Sequence, residues 1–262
     1  MSEPQMLYRT EGNIAILTIN RPEAKNSFSP EMLTLWRQFL EEAKSDNQVR
    51  VIVVTGKGDT FCSGGDIREM AEGRLRSWDM KKFLWEGVHR IIFALEDLDK
   101  PVIAAINGAA MGAGLDMAIM CDLRVCSDRA KLSESYIHLG IVPGDGGAYF
   151  LPRLIGIGKA LELLLTGDIL SPREALEIGL VNRVVDHDRL MEETMTLAER
   201  IANKPPLAIR MVKRAVYQGQ TSTLRSHLDY ISSQIALLSE TQDHQEAARS
   251  FLEKRKPIFE GK

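Results

Sequence analysis

Residues 100–128, KPVIAAINGAAMGAGLDMAIMCDLRVCSD, contain the succession of elements that decides the fold. The apolar run PVIAAIN (101–107) predicts a strand, and the small residues after it predict a loop. Leu115–Met120 then predicts a short helix, and LRVCSD (123–128) predicts a second strand. Because two strands joined through a helix normally pair in parallel, this stretch predicts an α/β fold with a parallel sheet.

The same order of strand, glycine-rich loop and helix recurs along the chain without an exact sequence period. The continuous β-branched run VRVIVVTG (49–56) is typical of a strand buried on both faces. The further segments of this repeat are GKGDTFCSGGD (56–66) with a helix from Ile67, a helix from about Met80 to Leu95, and AKLSES (130–135) followed by GDGGAYFLPRLIG (144–156).

The two ends of the chain differ in character. Leu7–Asn20 predicts two strands that turn at Glu11–Asn13. Ser29-Pro30-Glu31 predicts the start of a helix, with serine as N-cap and proline at the first helical position. From His187 onward the pattern is nearly all helical. We therefore expect a βα core over residues 1–190 and a helical C-terminal region over residues 191–262.

Bulk composition excludes several classes of function. With 262 residues and a formal net charge of −3, the chain gives no electrostatic case for binding nucleic acid, and no alternation of aromatic and basic residues suggests such binding. The longest apolar stretch is interrupted by Asn107 and Asp116, which argues against a membrane span. Three cysteines form neither a metal-ligand spacing nor a disulfide framework. These observations, with no visible targeting signal, predict a cytoplasmic protein.

Three glycine-rich loops, at 62–66, 108–114 and 144–147, follow predicted strands. Such loops let a ligand approach the backbone and expose N–H groups at helix N-termini, where anions and carbonyl oxygens bind. None of them has the glycine spacing of a dinucleotide-binding loop or a P-loop. The sequence also lacks the metal-binding motif HExxH and the nucleophile motif GxSxG.

Six segments in order resemble the signature segments of the crotonase superfamily, the enoyl-CoA hydratases and isomerases. They are RPEAKNSF (21–28), FCSGGDIREM (61–70), residues 100–122, HLGIVPGDGGAYFLPRLIG (138–156), LTGDILSPREALEIGLVNRVV (165–185) and FLEKRKPIF (251–259). Each segment alone is a weak signal, but the set is specific and covers nearly the whole chain.

This resemblance implies a spiral of ββα turns, with a helical C-terminal region that builds a homotrimer or a dimer of trimers. It implies an acyl-CoA thioester substrate and no metal or redox cofactor. Two apolar helix faces also favour subunit contacts, since a lone βα core need not cover them. These faces comprise Leu190, Leu197 and Ile201, and Leu228, Ile231 and Ile235.

The resemblance also implies which residues bind the substrate. The backbone N–H groups of Gly65 and Ala113 match the pair that holds the thioester oxygen. The other matching positions are expected to bind coenzyme A. Phe251 and Lys254 match C-terminal residues of the family that close over the coenzyme, often from a neighbouring subunit. The positions implied are Ala24 and Lys25 near the phosphates, Ser63, Gly64, Gly65, Asp66 and Ile67 along the adenine, and Phe251 and Lys254.

Asp116 matches one of the two acid/base positions of the family. The second position, a glutamate in hydratases, is here Tyr136. Glu134 lies two residues earlier, on the same face and about 6–7 Å away if this segment is a strand. Asp145 is another candidate to replace the missing glutamate as the second acid/base residue. Asp116 itself is expected either near water at a helix end or in a cleft, where its burial serves chemistry.

We therefore expect enoyl-CoA hydration or double-bond isomerisation through an enolate. Hydration needs one group to activate water and another to protonate the α-carbon, so replacement of the second glutamate weakens that expectation. Another reaction of the superfamily, such as decarboxylation, C–C cleavage or thioester hydrolysis, is the enzymatic alternative. An acyl-CoA-binding protein with little turnover is the alternative from a different functional class.

Overall fold

The computed structural model of the chain describes residues 3–68 and 77–262. The predicted helix from Ile67 falls largely outside these described residues. The strands, in chain order, are β1 Met6–Glu11, β2 Ile14–Ile19, β3 Val51–Gly56, β4 Thr60–Cys62, β5 Val102–Ile106, β6 Ala109–Met111, β7 Leu123–Ser127, β8 Leu132–Ser133 and β9 Arg183–Val185.

Helices follow the strands and dominate the C-terminal third. Leu84–Val88 is a π-helical segment that joins two of these helices within the predicted Met80–Leu95 helix. The described α-helices are Pro30–Ser45, Ser77–Phe83, His89–Glu96, Ala113–Ile119, Gly147–Ile155, Ile157–Thr166, Pro172–Glu177, Leu190–Ala202, Pro206–Gly219, Leu224–Ser239 and Gln242–Glu253. None of these described helices has the length and apolarity needed to cross a bilayer.

The strands form two sheets, because each repeat unit contributes one strand to each. The larger sheet has the order β1-β2-β3-β5-β7-β9, and the smaller has the order β4-β6-β8. Among pairs of these described strands, β1 and β2 are antiparallel and the others are parallel. An isolated antiparallel bridge joins Leu132 of β8 to Leu170. This arrangement confirms the predicted mixed α/β fold with a parallel-dominated sheet.

The central strands are buried on both faces, as the unbroken β-branched runs predict. In β3, Ile52 and Val54 face the main core, which the helix Pro30–Ser45 covers with Leu33, Trp36, Leu40 and Ala43. The hydroxyl of Ser29 caps that helix by accepting from the backbone N–H of Met32 at 3.1 Å. Val51 and Val53 face the opposite side of the sheet.

The helix Leu190–Ala202 covers that opposite side. Leu190 is buried there, and Leu197 and Ile201 pack against the same cluster. The expectation that this apolar face is free for subunit contacts is therefore wrong: the larger sheet has two apolar faces, and this helix buries the second. Leu228 and Ile235, on the helix Leu224–Ser239, remain more than half exposed.

Candidate active site

The smaller sheet determines where the site forms. Because β4, β6 and β8 lie side by side and run parallel, their carboxyl ends meet at one edge. Gly64 and Gly65 follow β4, Gly112 and Ala113 follow β6, and Glu134 follows β8. Loops that are distant in sequence are thereby brought to one place.

The first two loops touch through their backbones. Gly64 has φ of +81°, and an added Cβ would lie 2.9 Å from the carbonyl oxygen of Met111 and 3.1 Å from the nitrogen of Ala113. An added Cβ at Gly114 would lie 2.0 Å from the carbonyl oxygen of Cys62. Only glycine fits at these two contacts, which explains the small residues around Asp116.

The Gly114→Ala variant is expected to lose thermal stability, because its methyl group would meet backbone that cannot move aside. Overpacking of this kind costs about 1–3 kcal/mol, sometimes more. Gly158→Ala is a matched control: it lies in the helix Ile157–Thr166 with nothing within 4 Å of an added Cβ. We expect it to stabilise the protein by about 0.4–1 kcal/mol. Melting curves followed by circular dichroism measure both changes, and an unaltered melting temperature for Gly114→Ala would contradict the close contact.

Two backbone N–H groups at this junction differ from their neighbours in having no acceptor in the described part of the chain. Gly112 donates to the carbonyl of Ser133, and Asp116 donates to the carbonyl of Gly112. The N–H groups of Gly65 and Ala113, in contrast, have no acceptor among residues 3–68 and 77–262. Ala113 is the first residue of the helix Ala113–Ile119, where the backbone leaves its N–H groups unpaired.

Asp116 lies in the first turn of that helix and has no exposed surface. The alternative in which it remains near water is therefore wrong. Its Oδ2 accepts from the hydroxyl of Tyr136 at 2.5 Å, and the same hydroxyl lies 3.0 Å from Oδ2 of Asp145. Since a phenol carries one hydrogen, it donates to one carboxyl and can accept from the other only if that carboxyl is protonated.

Burial controls the protonation of this cluster. It raises the pKa of Asp116 to about 7, although the hydrogen bond from Tyr136 opposes the rise. Burial also raises the pKa of Asp145, with the Tyr136 hydrogen bond and the charge of His89 acting in the opposite direction. The pKa of the Tyr136 phenol rises further above its ordinary value for the same reason, so Tyr136 is a donor here and not a base.

Glu134 also belongs to the cluster, but the backbone conformation that places it there differs from the predicted strand. β8 ends at Ser133, and Ser135–Leu139 forms a 3-10 helix, so the strand interpretation of this segment is wrong. Glu134 nevertheless faces Asp116. An added Cβ at Gly147 would lie 2.3 Å from Oδ1 of Asp116 and 3.0 Å from Oε2 of Glu134. Both carboxyls therefore border the space above Gly147.

His89 is a neighbour of the cluster that sequence analysis missed. It comes from the helix His89–Glu96, and its Nε2 lies 2.8 Å from the carbonyl oxygen of Gly144, next to Asp145. No motif surrounds it, so the sequence carries no signal for this placement.

Some of the residues expected to bind the coenzyme lie close to one another, around Lys25 and the loop after β4. Lys25 has a left-handed backbone (φ 54°) and an exposed amine that pairs with Asp59 at 3.2 Å. Its carbonyl accepts from the N–H of Ser63, which joins the segment Pro22–Ala24 to the loop after β4. Asp66 accepts from the backbone N–H of Arg68, and Ile67 is 57% exposed.

Phe251 and Lys254 are placed elsewhere. They lie at the end of the helix Gln242–Glu253, where Phe251 is 84% exposed and Lys254 is the left-handed C-cap. Among the described residues, no hydrogen bond or ion pair joins either side chain to the loops after β4 and β6. Within one chain, the structure does not bring them to the acid cluster.

Comparison with known proteins agrees with this architecture. Residues 9–262 match the family model described as enoyl-CoA hydratase/isomerase. Over 262 residues the chain is 37% identical to a crotonyl-CoA hydratase of Syntrophomonas wolfei subsp. wolfei, with 99% of each protein covered. Over 252 residues it is 36% identical to a short-chain-enoyl-CoA hydratase of Clostridium acetobutylicum, covering 96% of this chain and 95% of that protein.

A solved structure gives the same result. The crystal structure of an enoyl-CoA hydratase from Bacillus anthracis superimposes with a TM-score of 0.94 at 33% identity, covering 98% of this chain and 100% of that one. The fold is thus that of the crotonase superfamily, which confirms the resemblance. The chain belongs to the enoyl-CoA hydratase/isomerase family, and it is an acyl-CoA-processing enzyme of hydratase or isomerase type.

Proposed function

We propose that the enzyme adds water across the Cα–Cβ double bond of a short-chain 2-enoyl-CoA thioester. The observation that carries this proposal is the buried carboxyl of Asp116 in the first turn of a helix whose leading N–H, that of Ala113, is unpaired among the described residues. A thioester oxygen bound at Ala113 would hold the α and β carbons beside that turn. Two relatives, a short-chain-enoyl-CoA hydratase and a crotonyl-CoA hydratase, support a short acyl chain.

The N–H groups of Gly65 and Ala113 would form the oxyanion hole. When water adds at Cβ, negative charge moves onto the thioester oxygen as an enolate. Fixed donors aimed at such a developing charge are worth about 2.7–4 kcal/mol each. Backbone donors can stabilise an enolate without a metal ion, and we propose that the reaction uses neither a metal nor a redox cofactor.

Asp116 would be the principal acid/base. Its carboxylate accepts a proton from water as the water oxygen bonds to Cβ and the π electrons of the Cα–Cβ bond pass to the thioester oxygen. The Asp116 carboxyl, which then carries that proton, returns it to Cα of the enolate, so that one group serves first as base and then as acid. A general base works best when its pKa lies near the operating pH, and that of Asp116 is raised to about 7. Tyr136 orients this carboxylate and also contacts Asp145. Since Asp116 has no exposed surface, the acyl carbons reach it only when a neighbouring group moves.

Coenzyme A would bind along the loop after β4. We assign its adenine to the backbone of residues 63–67 and its phosphates to the neighbourhood of Ala24 and Lys25. The exposed lysine amine and the bond between Lys25 and Ser63 support this assignment. Phe251 and Lys254 would close over the coenzyme of a neighbouring subunit, because neither is joined to these loops by a described polar contact.

Double-bond isomerisation is a second candidate, and one observation favours it. Tyr136 occupies the position of the second hydratase glutamate, and its phenol is a donor and not a base. Moving a double bond needs a single base that takes a proton from one carbon and returns it to another. Asp116 alone could perform that transfer.

Absorbance of the conjugated enoyl thioester distinguishes these reactions. If crotonyl-CoA loses this absorbance and mass spectrometry finds a product heavier by one water, the enzyme is a hydratase. If a 3-enoyl-CoA gains the absorbance without a change of mass, it is an isomerase. If neither ester changes but calorimetry shows tight binding, the proposed hydration is wrong and the chain is an acyl-CoA binder.

We also propose a trimer or a dimer of trimers, in the cytoplasm. Apolar side chains that remain exposed on the last helices, including Val216, Leu228 and Ile235, support subunit contacts. The buried free thiols of all three cysteines fit a reducing compartment. A monomer by light scattering at micromolar concentration would contradict the assembly and leave Lys254 without a neighbouring coenzyme.

A further inference from the structure

Glu134 is a buried titratable group that the proposed reaction does not yet use. Only 2% of its surface is exposed. Neither of its carboxyl oxygens has a hydrogen-bond donor among residues 3–68 and 77–262. The same is true of Oδ1 of Asp116, whose other oxygen is occupied by Tyr136. Buried polar oxygens are normally satisfied, so these need an explanation.

The explanation lies in how closely the two carboxyls approach each other. Oδ1 of Asp116 and Oε2 of Glu134 border the same space above Gly147, where a single added carbon would touch both. A hydrogen bond between the two carboxyls is among the causes that raise the pKa of Glu134, whereas the backbone N–H of Gly147 stabilises the ionised form of Asp116. No N–H or hydroxyl group among the described residues donates to either oxygen of Glu134. The only hydrogen that can join two carboxyls is a carboxyl proton.

Within residues 3–68 and 77–262, the groups that face Glu134 do not offer a counter-charge. Asp116 approaches it from the helix Ala113–Ile119 and Asp145 from the loop before Gly147, and both are acidic. Tyr136 is neutral, and His89 contacts the carbonyl of Gly144 and acts on Asp145 rather than on Glu134. Two like charges in such a site cannot both persist, so one carboxyl takes up a proton.

The asymmetry of the cluster shows which carboxyl that is. Burial, and then the charge of Asp116 and a hydrogen bond to it, raise the pKa of Glu134 to about 10. Asp116 already accepts the Tyr136 hydroxyl on Oδ2, whereas no donor among the described residues reaches either oxygen of Glu134. The ionised form is therefore better stabilised at Asp116, and the shared proton belongs to Glu134.

We propose that Glu134 is an uncharged positioning residue that donates its carboxyl proton to Oδ1 of Asp116, so that the pair holds one proton and Asp116 is the ionised partner. This inference rests on the proposed role of Asp116 as the base. With Tyr136 on Oδ2 and Glu134 on Oδ1, the carboxylate receives a donor on each oxygen. Glu134 would thus keep Asp116 a carboxylate near neutral pH despite its complete burial.

Two substitutions test this arrangement through the pH dependence of kcat/KM for crotonyl-CoA. Glu134→Gln keeps a donor, and we expect its acid limb to coincide with that of the wild type. Glu134→Leu removes the donor. Its acid limb should move to higher pH, lowering kcat/KM at pH 7 by about tenfold or more and restoring it in alkaline solution.

The comparison of the two variants also separates donation from mere packing. A loss in Glu134→Leu that is the same at every pH, or an acid limb in Glu134→Gln displaced as far as in Glu134→Leu, would overturn the proposal. Circular dichroism melts of both variants establish that they fold. Should Glu134→Leu fail to fold, the spectroscopic measurement below decides by itself.

Infrared spectroscopy tests the proton without turnover. At pH 8, between the pKa of Asp116 and that of Glu134, the wild type minus Glu134→Gln difference spectrum should contain the C=O band of a protonated carboxyl, shifted in D₂O. Absence of that band would overturn the proposal. This measurement needs no substrate. If the protein hydrates no enoyl-CoA, the proposed function is refuted, but the infrared band still decides whether Glu134 is protonated.

Discussion

The Asp116→Asn variant is expected to lose between about 10² and 10⁴ in turnover of its enoyl-CoA substrate, which is the usual worth of general acid–base catalysis. Asparagine is nearly isosteric and can still accept from Tyr136, so the cluster should keep its shape. Binding of the CoA ester should change little, since the proposed coenzyme contacts come from the loop after β4. The loss should therefore appear in kcat rather than in KM.

The pH profile gives this prediction a second readout. In the wild type, kcat/KM should fall below about pH 7, because burial raises the pKa of Asp116 to about 7 and the base is protonated below it. In Asp116→Asn that limb should be absent from whatever activity remains. If Asp116→Asn turns over the true substrate at the wild-type rate, Asp116 is not the acid/base and the proposed mechanism is wrong.

The same substitution is expected to stabilise the fold at neutral pH. The folded-state pKa of Asp116 lies above its ordinary value of 3.8, so its protonated form is the one that the fold favours. Its contribution to stability is present below pH 3.8 and is lost as the pH rises through about 7. The melting temperature of Asp116→Asn should therefore exceed that of the wild type more at pH 8 than at pH 4.

Parallel substitutions assign the other members of the cluster. If Asp145→Asn is as damaging as Asp116→Asn, the two carboxyls act as a pair. If Tyr136→Phe lowers activity and Asp145→Asn does not, the phenol positions Asp116 without a contribution from Asp145. Both variants keep nearly the volume of the native side chain, so a change in activity can be attributed to the lost hydrogen bond.

The sequence predicted much of the fold because its signals there are local. The unbroken apolar run before Gly56 is typical of a strand covered on both sides, and the structure confirms it. The pair Ser29-Pro30 predicts the start of the first helix, which begins at Pro30. The covering of the second sheet face by Leu190 and Leu197 was not predictable in this way. An amphipathic helix looks the same whether it packs against its own sheet or against another subunit.

The acid cluster was predictable in part, for a related reason. Asp116 stands out in the sequence because an acidic residue interrupts an apolar helix. Tyr136 and Asp145 are the candidates that the sequence offers for the second acid/base position. The position of the Glu134 side chain could not be predicted, because it depends on the 3-10 helix that follows Ser133. No sequence motif in this segment predicts that helix. His89 reaches the cluster only through tertiary packing of its helix.

The Gly65→Pro variant is expected to lower kcat by about 10²–10³, the usual cost of removing one oxyanion donor. Proline lacks the backbone N–H that Gly65 would offer to the thioester oxygen. Because the charge on that oxygen grows only as the enolate forms, the affinity for the CoA ester should fall far less than kcat.

The matched control for this change is Gly65→Ala, which keeps the N–H and adds only a methyl group. Its kcat should stay well above that of Gly65→Pro, and circular dichroism should show both variants folded. This comparison isolates the hydrogen-bond donor, since a distorted loop would also disturb Ser63 and Gly64 and weaken CoA binding in calorimetry. Full turnover in a folded Gly65→Pro protein would remove Gly65 from the oxyanion hole, leaving Ala113 as the single backbone donor beside Asp116.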